Sequence, residues 1–390
     1  MALCAVFAAH GFMFASWAVR VPAVKEQAGA SPAALGLALL GLSAGAVATM
    51  LLAGALCRRF GSPRMTAVSC GLLSVTLALP ALARSALALG LLLAVFGAAY
   101  GCLNVAMNSL AVDVVAALRR PVMPGFHAAW SFGGLAGASL GGLLAPHLSP
   151  ERHLLLVALA CLIVSAAAGH TLLTRAGVLG QAAVGATHDT RAGTPEASAR
   201  GPAWRRALGT GRTVGLFGLI ALCAAYDEGA IGDWGALHLR QDLGAGAGLA
   251  AAGYAAFALA EASGRLSGTA LLERLGRTPV LILGGLTACA GMLLASLSPD
   301  VWLALAGFAA TGLGLANLFP AAIARAGLLA GPSGVALTST LGYSGFLLGP
   351  PAIGFLASEF GLRAGMTTLA FLALTAAAIA YLCRDQPSVS

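Results

Sequence analysis

Two carboxylates stand side by side inside an apolar run: Asp227 and Glu228 lie in a segment that begins near residue 213. At 1.5 Å per residue, about fourteen residues of helix place them near the middle of a bilayer. A carboxylate at that depth can take a proton from one side of a membrane and release it to the other. Adjacent positions on a helix point roughly 100° apart, so the two acids cannot share one partner face. Glu261 and Arg265 lie four apart in the next segment, on one helical face, with the acid in the favourable N-terminal position. They form an internal ion pair, or Arg265 is the counter-ion for which Glu228, a proton or a substrate anion competes. His10 occupies the place in the first half that Asp227 holds in the second. With an unperturbed pKa of about 6.5 it suits a proton relay; a core histidine bonded to a carbonyl is the alternative.

A second set of side chains suits a polar ligand. Asn104 and Asn317, 213 positions apart, each offer two donors and an acceptor, and Asn108 adds a third amide. Their other role would be to tie helices together. Trp130 and Tyr343 present faces on which a sugar ring or an organic ligand can stack, whereas Trp17 and Trp234, near helix ends, suit interfacial anchors. Asp113 can close a gate by pairing with Arg58, Arg119 or Arg325, or sit as an interfacial charge.

The elements that must hold these groups are membrane helices. Of 390 residues, 59% are hydrophobic and 9% charged, too few charges to solvate a globular surface of this size. About twelve apolar segments are long enough to cross a hydrocarbon core, and their continuity favours helices over barrel strands. Glycines 133, 137 and 142 recur as 345, 349 and 354, and Trp17 recurs as Trp234, which sets two halves in register. The fold expected is all-α: twelve transmembrane helices in two pseudo-symmetric six-helix bundles, 1–175 and 213–390, joined by a cytoplasmic linker over 176–212. A duplicated apolar bundle with polar groups at mid-depth is the pattern of an alternating-access carrier.

The net charge of +8 reflects topology rather than nucleic-acid binding. If the segments alternate, fifteen basic residues, Arg58, Arg59, Arg119 and Arg274 among them, fall on one side and six on the other. That bias puts both termini in the cytoplasm. The eight cysteines are scattered singly, without metal or redox spacing. There is no phosphate-binding GxxxxGK[ST] loop and no HExxH, so neither an enzyme nor a bound cofactor is expected, and an ion gradient must supply the energy.

A basic turn follows the second segment of each half: Gly54-Ala55-Leu56-Cys57-Arg58-Arg59-Phe60-Gly61 and Leu271-Leu272-Glu273-Arg274-Leu275-Gly276-Arg277. Over essentially the whole chain this arrangement resembles the major facilitator superfamily. The stretches Ala15–Pro22, Asn104–Asn108, Phe126–Ser131, Glu228–Trp234 and Gly342–Phe346 are similar to a bacterial inner-membrane branch related to fucose-permease-type sugar–proton symporters. The resemblance implies a conformational latch at Arg58, Arg59, Glu273 and Arg274, although Arg58 stands where the family has an acid. It also implies a solute-contacting role for His127. In drug–proton antiporters of that superfamily the fifth segment carries a Gly-Pro step, and here Gly137 is followed by Ala138.

The resulting expectation is a secondary transporter of the bacterial inner membrane, working as a monomer. It would couple a proton, with sodium as the alternative ion, to symport of a small polar solute. An efflux antiporter for amphipathic compounds is the competing reading, disfavoured by an aromatic content of only 6%.

Overall fold

The computed structural model describes residues 1–30, 32–145, 147–192 and 203–384. Among these residues the chain forms thirteen α-helices and one short 3-10 turn. It divides into two compact units. The first comprises Met1–Arg119, Phe126–Arg205 and the short stretch Gly331–Ala336; the second comprises Arg120–Gly125, Arg206–Ala330 and Leu337–Ser390.

The first unit contains α1 (Ala2–Ala18), the short α2 (Val21–Gln27), α3 (Pro32–Phe60), α4 (Ser62–Thr76), α5 (Ala86–Leu118), most of α6 (Met123–Leu144) and α7 (Pro150–Ala192). The second is built from α8 (Ala203–Gln241), α9 (Ala247–Leu275), α10 (Arg277–Leu297), α11 (Val301–Leu315), α12 (Leu318–Phe360) and α13 (Leu362–Leu382). Within the stretch expected as a linker, α7 runs on to Ala192 and α8 begins at Ala203; residues 193–202 lie outside the described residues.

Local chemistry sets the joints. Ser85 caps α5 by accepting from the Ala88 amide at 3.2 Å, and Asp300 caps α11 by accepting from Leu303 at 2.9 Å. The basic turn of each half is a single glycine between two helices: Gly61 has φ 87° and Gly276 φ 79°, values that exclude a side chain at little cost to the turn. Two features complicate the tenth and eleventh spans. α12 is one continuous helix by hydrogen bonding, yet Gly331 within it has φ 57°, so the turn between those spans is a single left-handed residue. The tenth span, expected to be unbroken over 301–324, is interrupted at Ala316 and Asn317. Pro320 is the reason: it has no amide for the Ala316 carbonyl, and its ring would collide with that carbonyl in a regular helix. Set α2 aside, join α11 to the first part of α12, and twelve spans remain.

Close backbone approach packs each unit. A Cβ on Gly133 of α6 would run into the Ala8 carbonyl of α1, and one on Gly345 of α12 would lie 2.9 Å from the Tyr226 amide of α8. The repeated glycines therefore do the same work in both halves: they let two helices touch along their backbones. Outside this packing the surface is hydrocarbon. Leu37, Leu87, Ile163, Leu259 and Leu382 are 71–76% exposed, and apolar cover of that extent is stable against lipid rather than water.

Candidate functional site

In the first unit, α1, α5 and α6 carry the polar groups. His10 is fully buried, and its Nδ1 accepts a hydrogen bond from the Trp130 indole at 3.0 Å. An indole N–H can only donate, so this geometry requires the neutral tautomer protonated on Nε2. The imidazole also stacks on Tyr100, with centroids 4.1 Å apart. Tyr100 was not singled out from the sequence, because an aromatic inside an apolar run carries no signal beyond core packing. One turn and more along α5, the Asn108 side chain donates to the Asn104 carbonyl at 2.8 Å, and its Oδ1 meets His127 Nε2 at 3.2 Å. The structure thus assembles two contacts from the expected set, His10 with Trp130 and Asn108 with His127. Trp17 departs from the expectation of an interfacial anchor: it is 2% exposed and packs edge-on against Phe96.

One further group of this unit was missed. Arg20, at the end of α1, is 2% exposed and donates to His153 Nδ1 at 2.9 Å and to the Ala145 carbonyl at 3.2 Å. In the sequence it counted only as a loop charge. Asp113, for which a gate with Arg58, Arg119 or Arg325 and a simple interfacial charge were the two readings, meets the Ser62 hydroxyl at the start of α4. The partner is a hydroxyl on the adjacent helix, and Arg58 makes another contact.

In the second unit the adjacent acids of α8 diverge, as a 100° step requires. Glu228 turns toward α9, where its Oε2 lies 3.7 Å from Arg265 Nη2. The same nitrogen donates to Glu261 Oε1 at 2.6 Å. Glu261 and Arg265 are each 5% exposed, so one buried guanidinium serves two carboxylates. Tyr254, another residue the sequence did not flag, lies within electrostatic reach of Glu228, Glu261, Arg265 and Asp233. Asp227 points elsewhere. It is 1% exposed, has Cys223 and Cys289 as neighbours, and neither carboxylate oxygen has a hydrogen-bond partner.

Asn317, at the break between α11 and α12, donates to the Gly264 carbonyl of α9 at 3.1 Å, which is the helix-tying role. Tyr343 is half-buried and leans on Phe346, 6.0 Å between centroids. Trp234 is half-buried against Gly354. His238 was also missed. Fully buried at the end of α8, it meets Asp242 at 2.7 Å through Nδ1 and the Ala295 carbonyl of α10 at 3.1 Å through Nε2. The i,i+4 spacing of His238 and Asp242 was the available signal.

Among the described residues no three His, Cys, Asp or Glu side chains are grouped to hold a metal ion. The chemistry on offer is proton exchange among buried acids, and hydrogen bonding with stacking for a polar ligand.

A family model described as Major Facilitator Superfamily matches residues 1–226 and again 217–390. The chain belongs to the major facilitator superfamily. An uncharacterised MFS-type transporter of Yersinia pestis is 33% identical over 374 residues, covering 95% of this chain and 92% of that protein. Among solved structures, the fucose:proton symporter of E. coli superposes with a TM-score of 0.71 at 15% identity, over 99% of this chain and 98% of that one. The human organic anion transporter MFSD10 superposes with a TM-score of 0.74 at 16% identity, over 97% and 98%. At such identities the likeness is one of fold. The chain is accordingly a multi-pass membrane transporter with bacterial relatives.

The basic turns of the two units make different contacts. In the first unit Arg58 donates to the Ser333 hydroxyl of the Gly331–Ala336 stretch, while Arg59 lies 5.3 Å over the Phe60 ring. In the second unit Glu273 accepts from Arg120 at 2.7 Å, and Thr269 donates to the Pro121 carbonyl at 3.2 Å. Arg274 follows Glu273 in the exposed last turn of α9.

Proposed function

We propose that this chain is a proton-coupled symporter that moves a small polar solute, sugar-like or another hydrophilic metabolite, by alternating access. The shared guanidinium is the observation that supports this most directly. Two carboxylates on one arginine, Glu261 buried and Glu228 half-buried, are balanced only when a proton rides on one of them, so the cluster has two arrangements that differ by which acid pairs with Arg265. A carrier needs such an alternative. Asp227, buried with no hydrogen bond to either oxygen, supports a second proton-bearing site in the same helix.

In this reading Asp227, Glu228, Glu261 and Arg265 handle the proton, with His10 as a relay once Trp130 releases its Nδ1. Asn104, Asn108, His127 and Trp130 contact the solute from the first unit and Tyr343 from the second, where Asn317 joins them only when it gives up its bond to the Gly264 carbonyl. Arg58, Arg59, Asp113, Glu273 and Arg274 gate the cycle at the basic turns. The arginine distribution supports cytoplasmic termini in a bacterial inner membrane. Titratable acids favour the proton over sodium, and a monomer suffices for every step.

The test uses purified protein in liposomes loaded with a pH-sensitive dye. A panel of sugars, polyols and amphipathic compounds is added outside. Symport predicts internal acidification with one polar solute. Glu228→Gln and Glu261→Gln should abolish accumulation down the proton gradient while sparing solute-for-solute exchange. Accumulation that survives both changes overturns the coupling assignment. Internal alkalinisation driven by amphipathic compounds would move the assignment to the efflux antiporter.

A further inference from the structure

Beyond the shared guanidinium, α8 and α9 carry two polar groups that no step of the proposed cycle uses. Asp233 is exposed and Tyr254 is 45% exposed. Among the described residues neither the Asp233 carboxylate nor the Tyr254 hydroxyl has a hydrogen-bond partner. The stretch Thr210–Gln241 of α8 is long and apolar enough to cross a membrane. Its 32 residues make about 48 Å of helix, so with the helix centred about 9 Å projects beyond each face of a hydrocarbon core about 30 Å thick. Asp233 stands eight residues, about 12 Å, from the Gln241 end and lies about 3 Å inside that core. Glu228, five residues further in, lies about 10 Å deep. An unpaired carboxylate at the depth of Asp233 faces water rather than lipid.

Helical geometry sets Tyr254 between the two acids. On α9 it is seven residues from Glu261 and eleven from Arg265, spacings that keep all three on one face. On α8, Gly232 is one turn beyond Glu228 on the same face, and Asp233 follows it directly. A Cβ on Gly232 would lie 3.5 Å from Tyr254 Cε2 and 3.9 Å from Cδ2, so the end of the ring that bears the hydroxyl leads against α8 at this turn. Phe257 stacks on the ring from its own helix, 6.0 Å between centroids. The charges that act on Tyr254 are Glu228, Glu261, Arg265 and Asp233, in that order of strength. The ring thus spans the gap between an acid at the membrane edge and the acids at mid-depth.

We propose that Asp233 takes up the coupling proton from water at the Gln241 end of α8 and that the Tyr254 hydroxyl passes it to Glu228, an inference that rests on the proton-handling reading of Glu228, Glu261 and Arg265. Protonated Asp233 gives its proton, through solvent at the exposed edge of the ring, to the phenol oxygen as the phenol O–H gives its own to the Glu228 carboxylate. One proton moves, and the phenol ends neutral. Glu228 then yields the proton to Glu261 as Arg265 changes partner, which restores Glu228 as an acceptor.

The experiment delivers a proton pulse from a photoacid dye to the full-length protein in lipid nanodiscs and follows the carbonyl band of protonated carboxylic acids by time-resolved infrared spectroscopy. In the native protein a component that Glu228→Gln or Glu261→Gln removes should rise after the flash. Tyr254→Phe keeps the ring against Gly232 and Phe257 and loses only the hydroxyl. It should slow that rise about 10²-fold, the contribution of one positioned acid–base group, at unchanged final amplitude and melting temperature. Asp233→Asn should slow the rise likewise. If Tyr254→Phe does not fold, Asp233→Asn decides. Native kinetics in either variant overturns the relay and leaves the coupling cluster standing. A native protein with no component sensitive to Glu228→Gln or Glu261→Gln overturns the coupling assignment and the relay with it.

Discussion

Removing Arg265 should damage the protein far more than removing the whole charge cluster of which it is part. Arg265 is 5% exposed and is the counter-ion of Glu261 at 2.6 Å and of Glu228 at 3.7 Å. At equal dielectric the nearer carboxylate is attracted about 1.4 times as strongly, since Coulomb energy falls as the inverse of distance. Only the nearer one is within hydrogen-bonding range. Arg265→Met leaves the buried Glu261 and the half-buried Glu228 uncompensated, and breaking the buried Glu261–Arg265 pair in this way costs about 3–5 kcal/mol. Glu261→Gln removes one charge-assisted hydrogen bond, worth about 1.5–3 kcal/mol, but Glu228 remains to balance the guanidinium. Replacing all three, with Glu228→Gln, Glu261→Gln and Arg265→Met together, removes desolvation costs along with attractions and should return stability to within about 1–2 kcal/mol of native. Buried thiols give the assay. Cys57, Cys70, Cys161, Cys223 and Cys383 are buried and unpaired, so a thiol-reactive fluorophore reports unfolding of purified protein during a thermal ramp. The expected order of apparent melting temperature is native, then the triple variant, then Glu261→Gln, with Arg265→Met lowest. A triple variant less stable than Arg265→Met would refute the argument, because the three groups would then be acting independently.

Three further outcomes are expected. Trp130→Phe keeps the ring but removes the donor to His10 Nδ1, so a buried nitrogen is left unmet at a cost of about 1–3 kcal/mol; the thiol assay should show it, and solute counterflow should slow. Gly133→Ala pushes a methyl into the Ala8 carbonyl and should sharply lower the yield of folded protein, whereas Gly142→Ala, with no atom within 4 Å of the new Cβ, should match native yield in size-exclusion chromatography. His238→Ala strips a contact from both Asp242 and the Ala295 carbonyl, which join the end of α8 to that of α10; a loss of about 1–3 kcal/mol should appear as a lower melting temperature.

The sequence carried the spans because crossing a bilayer imposes one requirement, length and apolarity, at every position of a helix. It carried the halves because the glycines that let α1 approach α6 and α8 approach α12 recur at a fixed spacing. Breaks were harder to read. The interruption at Ala316 and Asn317 depends on Pro320, whose effect falls four residues upstream, inside a run that hydropathy scores as continuous. Partner choice was harder still. Asp113 found Ser62 rather than an arginine, and Arg20 found His153, because the nearest acceptor or donor belongs to a helix far away in sequence.

The adjacent acids mark where reading from sequence stops and structure must take over. Helical geometry alone requires Asp227 and Glu228 to face different surroundings, and it holds whatever helices surround them. Which of the two becomes the paired acid depends on where α9 lies, and nothing in either residue encodes that. With α9 on the Glu228 side, Arg265 already bonded to Glu261 acquires a second, longer contact, and Asp227 is left among cysteines. The pairing is unequal, 2.6 Å against 3.7 Å, and that inequality bears on coupling. A proton arriving on Glu261 frees Arg265 to close on Glu228, whereas a proton arriving on Glu228 changes little. Glu261→Gln should therefore fix the cluster in the Glu228-paired arrangement and stop proton-driven accumulation completely. Glu228→Asp, a shortened acid already out of hydrogen-bonding range, should keep accumulation but weaken its dependence on the gradient. Equal effects of the two changes in the dye-loaded liposomes would show that the asymmetry has no part in transport.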